Sequence, residues 1–202
     1  MPESSVHVPF EIVAVASSAG GMTALMRILS QLPSDFAIPM VVVQHLDPHH
    51  RSLLATILSR HTGLTVKEAQ EGDRLHGGTA YIAPPDHHLL VKPDATLTLT
   101  RSEPVHFVRP SADLLFASVA AVFGRHAIAV VLSGTGVDGA TGVKAIEQHG
   151  GIVIAQDQQS SEYFGMPGAA IQTGCVDFVL PLDEIAPTLV TLEMENNAKN
   201  SP

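Results

Sequence analysis

The sequence predicts a doubly wound α/β domain. A mostly parallel sheet is flanked by helices, with a small antiparallel hairpin insertion around residues 79–100. Three observations carry this reading. Short apolar runs alternate along the chain with longer segments of helical spacing. The runs are nearly continuous, without the polar face of a half-exposed strand, as a parallel sheet covered on both sides requires. One central segment, "TAYIAPPDHHLLVKPDATLTLT", switches instead to alternation broken by Pro and Asp turns.

Taken in order, Phe10–Ala16 is the first predicted strand and Met22–Gln31 the first helix. Met40–Gln44 is the next strand and Ser52–Arg60 the next helix. After the antiparallel excursion, Ala112–Gly124 reads as an apolar-faced helix that Ser111, placed just after Pro110, is suited to cap. Strands at Ala127–Ser133 and Ile152–Gln156 bracket a helix at Gly142–His149. The chain then closes with a helix at Gly168–Thr173, a strand at Phe178–Leu180 and a helix at Glu184–Glu193. Pro167 suits the first turn of the penultimate helix and Asp183 the cap of the last. There is no internal repeat, and only residues 194–202 read as a disordered tail.

Composition narrows the function classes. An apolar content of 45% is that of a folded globular chain. No apolar stretch approaches the roughly 18–20 residues that span a bilayer, and the start lacks the pattern of a secretory signal. The single cysteine, Cys175, excludes an intrachain disulfide framework and fits a reducing cytoplasm. A formal charge of −9 argues against nucleic acid or an anionic membrane as the main partner.

In sheets of this kind, ligands bind beyond the carboxyl ends of the strands. Ser17 and Ser18 follow the first strand, ahead of Gly20 and Gly21; His45 follows the second; Asp138 lies in "GTGVDGATG" after the strand at 127–133. A hydroxyl, an imidazole and a carboxylate are the components of a hydrolytic triad. The serines also have the place of a helix cap. With the two glycines leaving the helix N-terminus uncovered, the turn suits a phosphate as well as an oxyanion.

Two rivals compete. Gly134–Gly139 matches the G-x-G-x-x-G fingerprint of dinucleotide binding, between a strand and a helix, with Asp157 placed 18 residues beyond Gly139. Against it, the Asp138 charge would repel a pyrophosphate, and the match falls late in the chain rather than in the first βαβ unit. For metal binding, His45, Asp47, His49 and His50 cluster in "QHLDPHHR", and His87 and His88 recur later. None has the spacing of a helical zinc motif, and these read as solvated loop histidines.

Five segments in order, "AVASSAGG", "VVQHLDP", "VRPSADLLFASVA", "VLSGTGVDGATG" and "FGMPGAAIQTG", resemble the signature segments of the bacterial chemotaxis protein-glutamate methylesterases, the CheB family. The resemblance runs from about Val8 to Glu193 and implies a methylesterase catalytic domain over residues 8–193. It implies hydrolysis of γ-glutamyl methyl esters on the cytoplasmic helices of chemoreceptors, and deamidation of receptor glutamines by the same route, without a cofactor or metal. By the family's motifs, Ser18 is the nucleophile, His45 the base and Asp138 the acid. Backbone N–H groups of Ala19, Thr135 and Gly136 then receive the oxyanion, and Arg109 is a candidate substrate contact. Met166 reads as packing. Departures from the family pattern are Ala19 where many members have threonine and Ala16 where they have glycine. Family members also typically carry an N-terminal receiver domain. The expectation is therefore a stand-alone catalytic domain, or one module of a fusion, with a receiver or methyltransferase domain as partner in cis or in trans.

Overall fold

The computed structural model describes residues 10–46 and 52–197. The first strand, β1 (Ile12–Ser17), sits mid-sheet, and every one of its residues is buried. Its side chains alternate between two cores: Ile12, Ala14 and Ala16 face one, Val13 and Val15 the other. On the Val13 face pack α1 (Gly21–Gln31), α2 (Leu54–Leu58) and α6 (Leu182–Asn197), with Leu25, Leu29, Leu58 and Leu189 buried there. On the Ala14 face pack α3 (Ala112–Phe123), α4 (Ala140–Gln148) and α5 (Gly165–Gln172), with Phe116, Val143 and Met166. Phe36 and Phe116 are fully enclosed, one in each core. Truncation of either to alanine would cost about 3–5 kcal/mol.

Seven strands form the main sheet, in the order β3 (Thr65–Glu68), β4 (Thr79–Ile82), β2 (Met40–Gln44), β1, β7 (Ala127–Val131), β8 (Ile152–Gln156) and β9 (Phe178–Leu180). All of its pairings are parallel. The chain winds outward from β1 in one direction to β2 and in the other to β7. The topological switch point, where such sheets open a crevice, therefore lies at the carboxyl ends of β1 and β7.

The predicted α/β architecture holds, with local differences. The antiparallel insertion is the hairpin β5 (His88–Val91) and β6 (Leu97–Thr100), while 79–82 joins the parallel sheet between β2 and β3. Local sequence does not distinguish these, because the crossover, not the strand, selects the partner. β3, "TVKE", escaped the apolar criterion because it is an edge strand with polar residues at three of its four positions. α2 is shorter than the predicted 52–60, and α4 and α5 begin earlier than predicted, at Ala140 and Gly165. Asp183 does not cap α6; it lies in the first turn and pairs with Arg27 of α1 at 2.5 Å. The last helix runs to Asn197, past the predicted end at Glu193. Asp47, His49 and His50 lie outside the described residues. Among the described residues, no helix is long and apolar enough to cross a membrane.

Candidate active site

The register of the central strands sets the site. Ser17 stands opposite Gln44 in the β1–β2 pair, so Ser18 and His45 are the next residues out on adjacent strands, whose spacing is about 4.8 Å. The His45 N–H donates to the Ser17 carbonyl and the Ser18 N–H to the Ser133 carbonyl, each at 3.0 Å, tying both residues to the end of the sheet.

The Gln44 side chain locks this pair. Its Nε2 donates to the Ser18 carbonyl at 2.7 Å and to the His45 carbonyl at 3.0 Å, while its Oε1 accepts from the Ser17 hydroxyl at 2.7 Å. Ser17 is thus fully buried and consumed by structure. Ser18 is partly exposed, and among the described residues its hydroxyl has no hydrogen-bond partner. Neither serine is a helix cap: α1 is capped by Gly20, with no side-chain cap bond. Gly21 is required by proximity, since a Cβ there would fall 2.3 Å from Gln44 Oε1 and 2.6 Å from Ser17 Cβ.

Asp138 reaches the same place from the loop after β7. Its Oδ2 lies 2.8 Å from His45 Nε2, with the imidazole side chain 12% and the carboxylate 3% exposed. The rest of the carboxylate is held by the start of α3. Oδ1 accepts from Ser111 Oγ at 2.8 Å and the Asp113 N–H at 3.1 Å; Oδ2 also accepts from the Ala112 N–H at 2.6 Å. Burial pushes the Asp138 pKa up. The bond from His45, the Ala112 and Asp113 amides and the Ser111 hydroxyl together outweigh it, holding the carboxyl below its ordinary value. An ionised Asp138 only accepts, so His45 Nε2 carries its proton and Nδ1 is the nitrogen left with a free lone pair.

Two helices exchange their caps here. While Asp138 caps α3, Asp113 of α3 caps α4: its Oδ1 accepts from the Gly139 N–H at 2.9 Å and the Gly142 N–H at 2.7 Å. One of these amides belongs to the last fingerprint glycine and the other to the first turn of α4, so the place a pyrophosphate would take at the helix N-terminus is filled by the chain's own carboxylate. Asp157 is likewise occupied locally, accepting from the Ser160 N–H and hydroxyl. These contacts remove the physical basis of the dinucleotide reading.

The amides of Ala19, Thr135 and Gly136 donate to no group among the described residues. Ala19 is steadied through its carbonyl, which accepts from Ser133 Oγ at 2.8 Å. Met166 packs at Gly134, where a Cβ would meet its Sδ at 2.3 Å and Ser18 Cβ at 2.9 Å. Beside His45 opens a cavity of about 460 Å³, lined also by Leu46, Asp86, Phe107, Val108 and Arg109. Arg109 is at its wall, but its donors are spent within the chain: Nε and Nη2 on Asp86, Nη1 on the Arg101 and Ser102 carbonyls. The same arginine holds the Asp86 carboxyl below its ordinary value.

His88 departs from the solvated-loop expectation. It is buried in β5, accepting at Nδ1 from the Ser111 N–H at 3.1 Å and lying 3.2 Å at Nε2 from the Glu103 carbonyl. Burial lowers its pKa. Among the described residues, no three His, Cys, Asp or Glu side chains gather to hold a metal ion.

The structure thus joins His45 to Asp138 and seats Ser18 beside them. Gln44, Ser111 and Asp113, which hold these groups, were not singled out from sequence as site residues. Only the Ser111 cap was visible there, because the other contacts join residues far apart in the chain.

Comparisons with known proteins identify the family. The family model described as CheB methylesterase matches residues 13–189. A Pyrococcus horikoshii protein named protein-glutamate methylesterase/protein-glutamine glutaminase is 44% identical over 181 residues, 88% of this chain. This chain spans about half of that relative, 49% of its length. A Leptospira interrogans protein, provisionally given the same name, is 38% identical over 187 residues, covering 93% of this chain and 97% of its own. The crystal structure of the Thermotoga maritima CheB methylesterase catalytic domain superposes with a TM-score of 0.87 at 39% identity, covering 92% of this chain and all of that one. With the fold, the length of the match and these relatives in accord, the chain belongs to the CheB methylesterase family.

Proposed function

We propose that this protein is a protein-glutamate methylesterase, hydrolysing γ-glutamyl methyl esters on the cytoplasmic helices of chemoreceptors to glutamate and methanol. The observation that carries this is the His45–Asp138 pair, one register step from a free serine hydroxyl. The family membership supplies the substrate class, through relatives named for that activity.

Ser18 Oγ attacks the ester carbonyl while His45 Nδ1 takes its proton. Asp138, held ionised by the start of α3, keeps Nε2 protonated and stabilises the imidazolium. The amides of Ala19, Thr135 and Gly136 receive the oxyanion; one such donor is worth about 3 kcal/mol. The imidazolium then protonates the departing methoxide. A water deprotonated by Nδ1 attacks the acyl-serine, and its collapse frees the glutamate. An amide nitrogen leaves by the same path, which extends the reading to receptor glutamines. The cytoplasm is the compartment where such helices lie. A receiver or methyltransferase domain, in cis or in trans, is the partner expected to control access.

The test is methanol release from membranes containing an esterified chemoreceptor. The wild-type protein is expected to release it at a rate proportional to enzyme. A folded protein that binds the receptor and releases none would instead be a non-catalytic binding domain.

A further inference from the structure

Residues 105–108 form a hairpin of their own: Val105 and Val108 exchange both backbone hydrogen bonds, at 3.1 and 2.9 Å, around a two-residue turn. Both turn residues are left-handed, His106 at φ 50° and Phe107 at φ 64°. Such a turn ordinarily takes Asn-Gly, because a bulky side chain is strained there. The strain is sustained from within, since His106 Nε2 lies 3.2 Å from Asp113 Oδ2. The product of this arrangement is a phenylalanine with its whole side chain in solvent, 102% exposed, on the rim of the cavity that His45 lines. A strained backbone that holds an aromatic ring out of the core serves no packing purpose.

We propose that Phe107 is the docking anchor for the substrate helix, inserting against its apolar face about one turn from the esterified glutamyl side chain. This rests on the function proposed above. The charged groups at the cavity are engaged with one another, Arg109 on Asp86 and Arg101 Nε 3.8 Å from the same carboxylate, which leaves the exposed ring as the free contact. The net charge of −9 gives no long-range attraction for a helix carrying free carboxylates. Leu46 and Val108 add apolar lining to the same cavity. An amphipathic helix offers the matching surface, because residues three or four apart lie on one face.

The experiment compares methanol release from receptor membranes with release from a short soluble peptide carrying a glutamyl γ-methyl ester. The variants are Phe107→Ala, Phe107→Leu and Phe107→Gly, the last suited to the left-handed turn, so that the hairpin persists when the ring is lost. Loss of an aromatic anchor is expected to raise KM for the receptor about tenfold or more, with kcat within about twofold, and leucine recovers part of the loss. The short peptide is expected to lose less than about threefold in kcat/KM. Equal losses on both substrates, or an unchanged receptor KM, would overturn the anchor while leaving the esterase standing. A wild-type protein inactive on both substrates would overturn the esterase reading and the anchor with it.

Discussion

Asp113→Ala tests the exchange of caps between α3 and α4. The substitution strips the Gly139 and Gly142 amides, both buried, of a shared carboxylate acceptor. Hydrogen bonds to a charged group contribute about 1.5–3 kcal/mol each, so the pair amounts to about 3–6 kcal/mol. The half-exposed His106 contact adds little. For a domain of this size, each kcal/mol moves Tm by about 2–4 °C, so a fall of about 10 °C is expected in thermal denaturation. Asp113→Asn keeps an oxygen acceptor but loses the charge, and should fall about half as far. Amide exchange at Gly139 and Gly142 should accelerate in the alanine variant. Because Gly139 adjoins Asp138, kcat should fall as well. An alanine variant with wild-type Tm and unchanged exchange at those two amides would refute the reasoning.

Three further outcomes follow from the same geometry. Asp138→Asn keeps the shape but presents an amide to His45 Nε2, favouring the wrong tautomer, and kcat for methanol release should fall about 10³–10⁴-fold with little change in KM. Gly21→Ala would drive a methyl group into Gln44 and Ser17, so both Tm and kcat should fall, the first by the equivalent of about 1–3 kcal/mol in denaturant unfolding. His88 has a lowered folded-state pKa, so the unfolded chain takes up its proton first as pH falls below the ordinary 6.5. Its contribution to stability should be full above that pH and decline below it, by at most about 1.4 kcal/mol per pH unit, and His88→Gln should flatten that slope in unfolding curves across pH 5–7.

What could be read from sequence depended on how local the cause was. Four strands of the sheet announced themselves because strands buried on both faces are continuous apolar runs, and the exposed edge strand β9 because all three of its residues are apolar, whereas β3, mostly polar at the other edge, and β4, hidden among turn residues, did not. Ser18, His45 and Asp138 were singled out because the first two immediately follow strand ends and the third lies in the glycine-rich loop after β7. Their support was not legible, since Asp138 is held by residues 111–113, more than twenty positions away, and Asp113 returns the contact to Gly139 and Gly142. The same limit misplaced His88 in a solvated loop and Asp183 at a cap, because only the fold buries the one and brings Arg27 to the other. Arg109 was expected as a candidate substrate contact; it lies at the cavity wall, and its engagement with Asp86 was not legible.

The central claim is that Ser18, not its buried neighbour, carries the chemistry. The most direct measurement is methanol release from esterified receptor membranes by Ser18→Ala and Ser17→Ala, side by side with the wild type. The account predicts that Ser18→Ala abolishes release while remaining folded. Ser17→Ala, which loses the hydroxyl's bonds to Gln44 and the Val43 carbonyl, should retain measurable turnover at reduced Tm. Turnover that survives in Ser18→Ala and vanishes in a folded Ser17→Ala would contradict it.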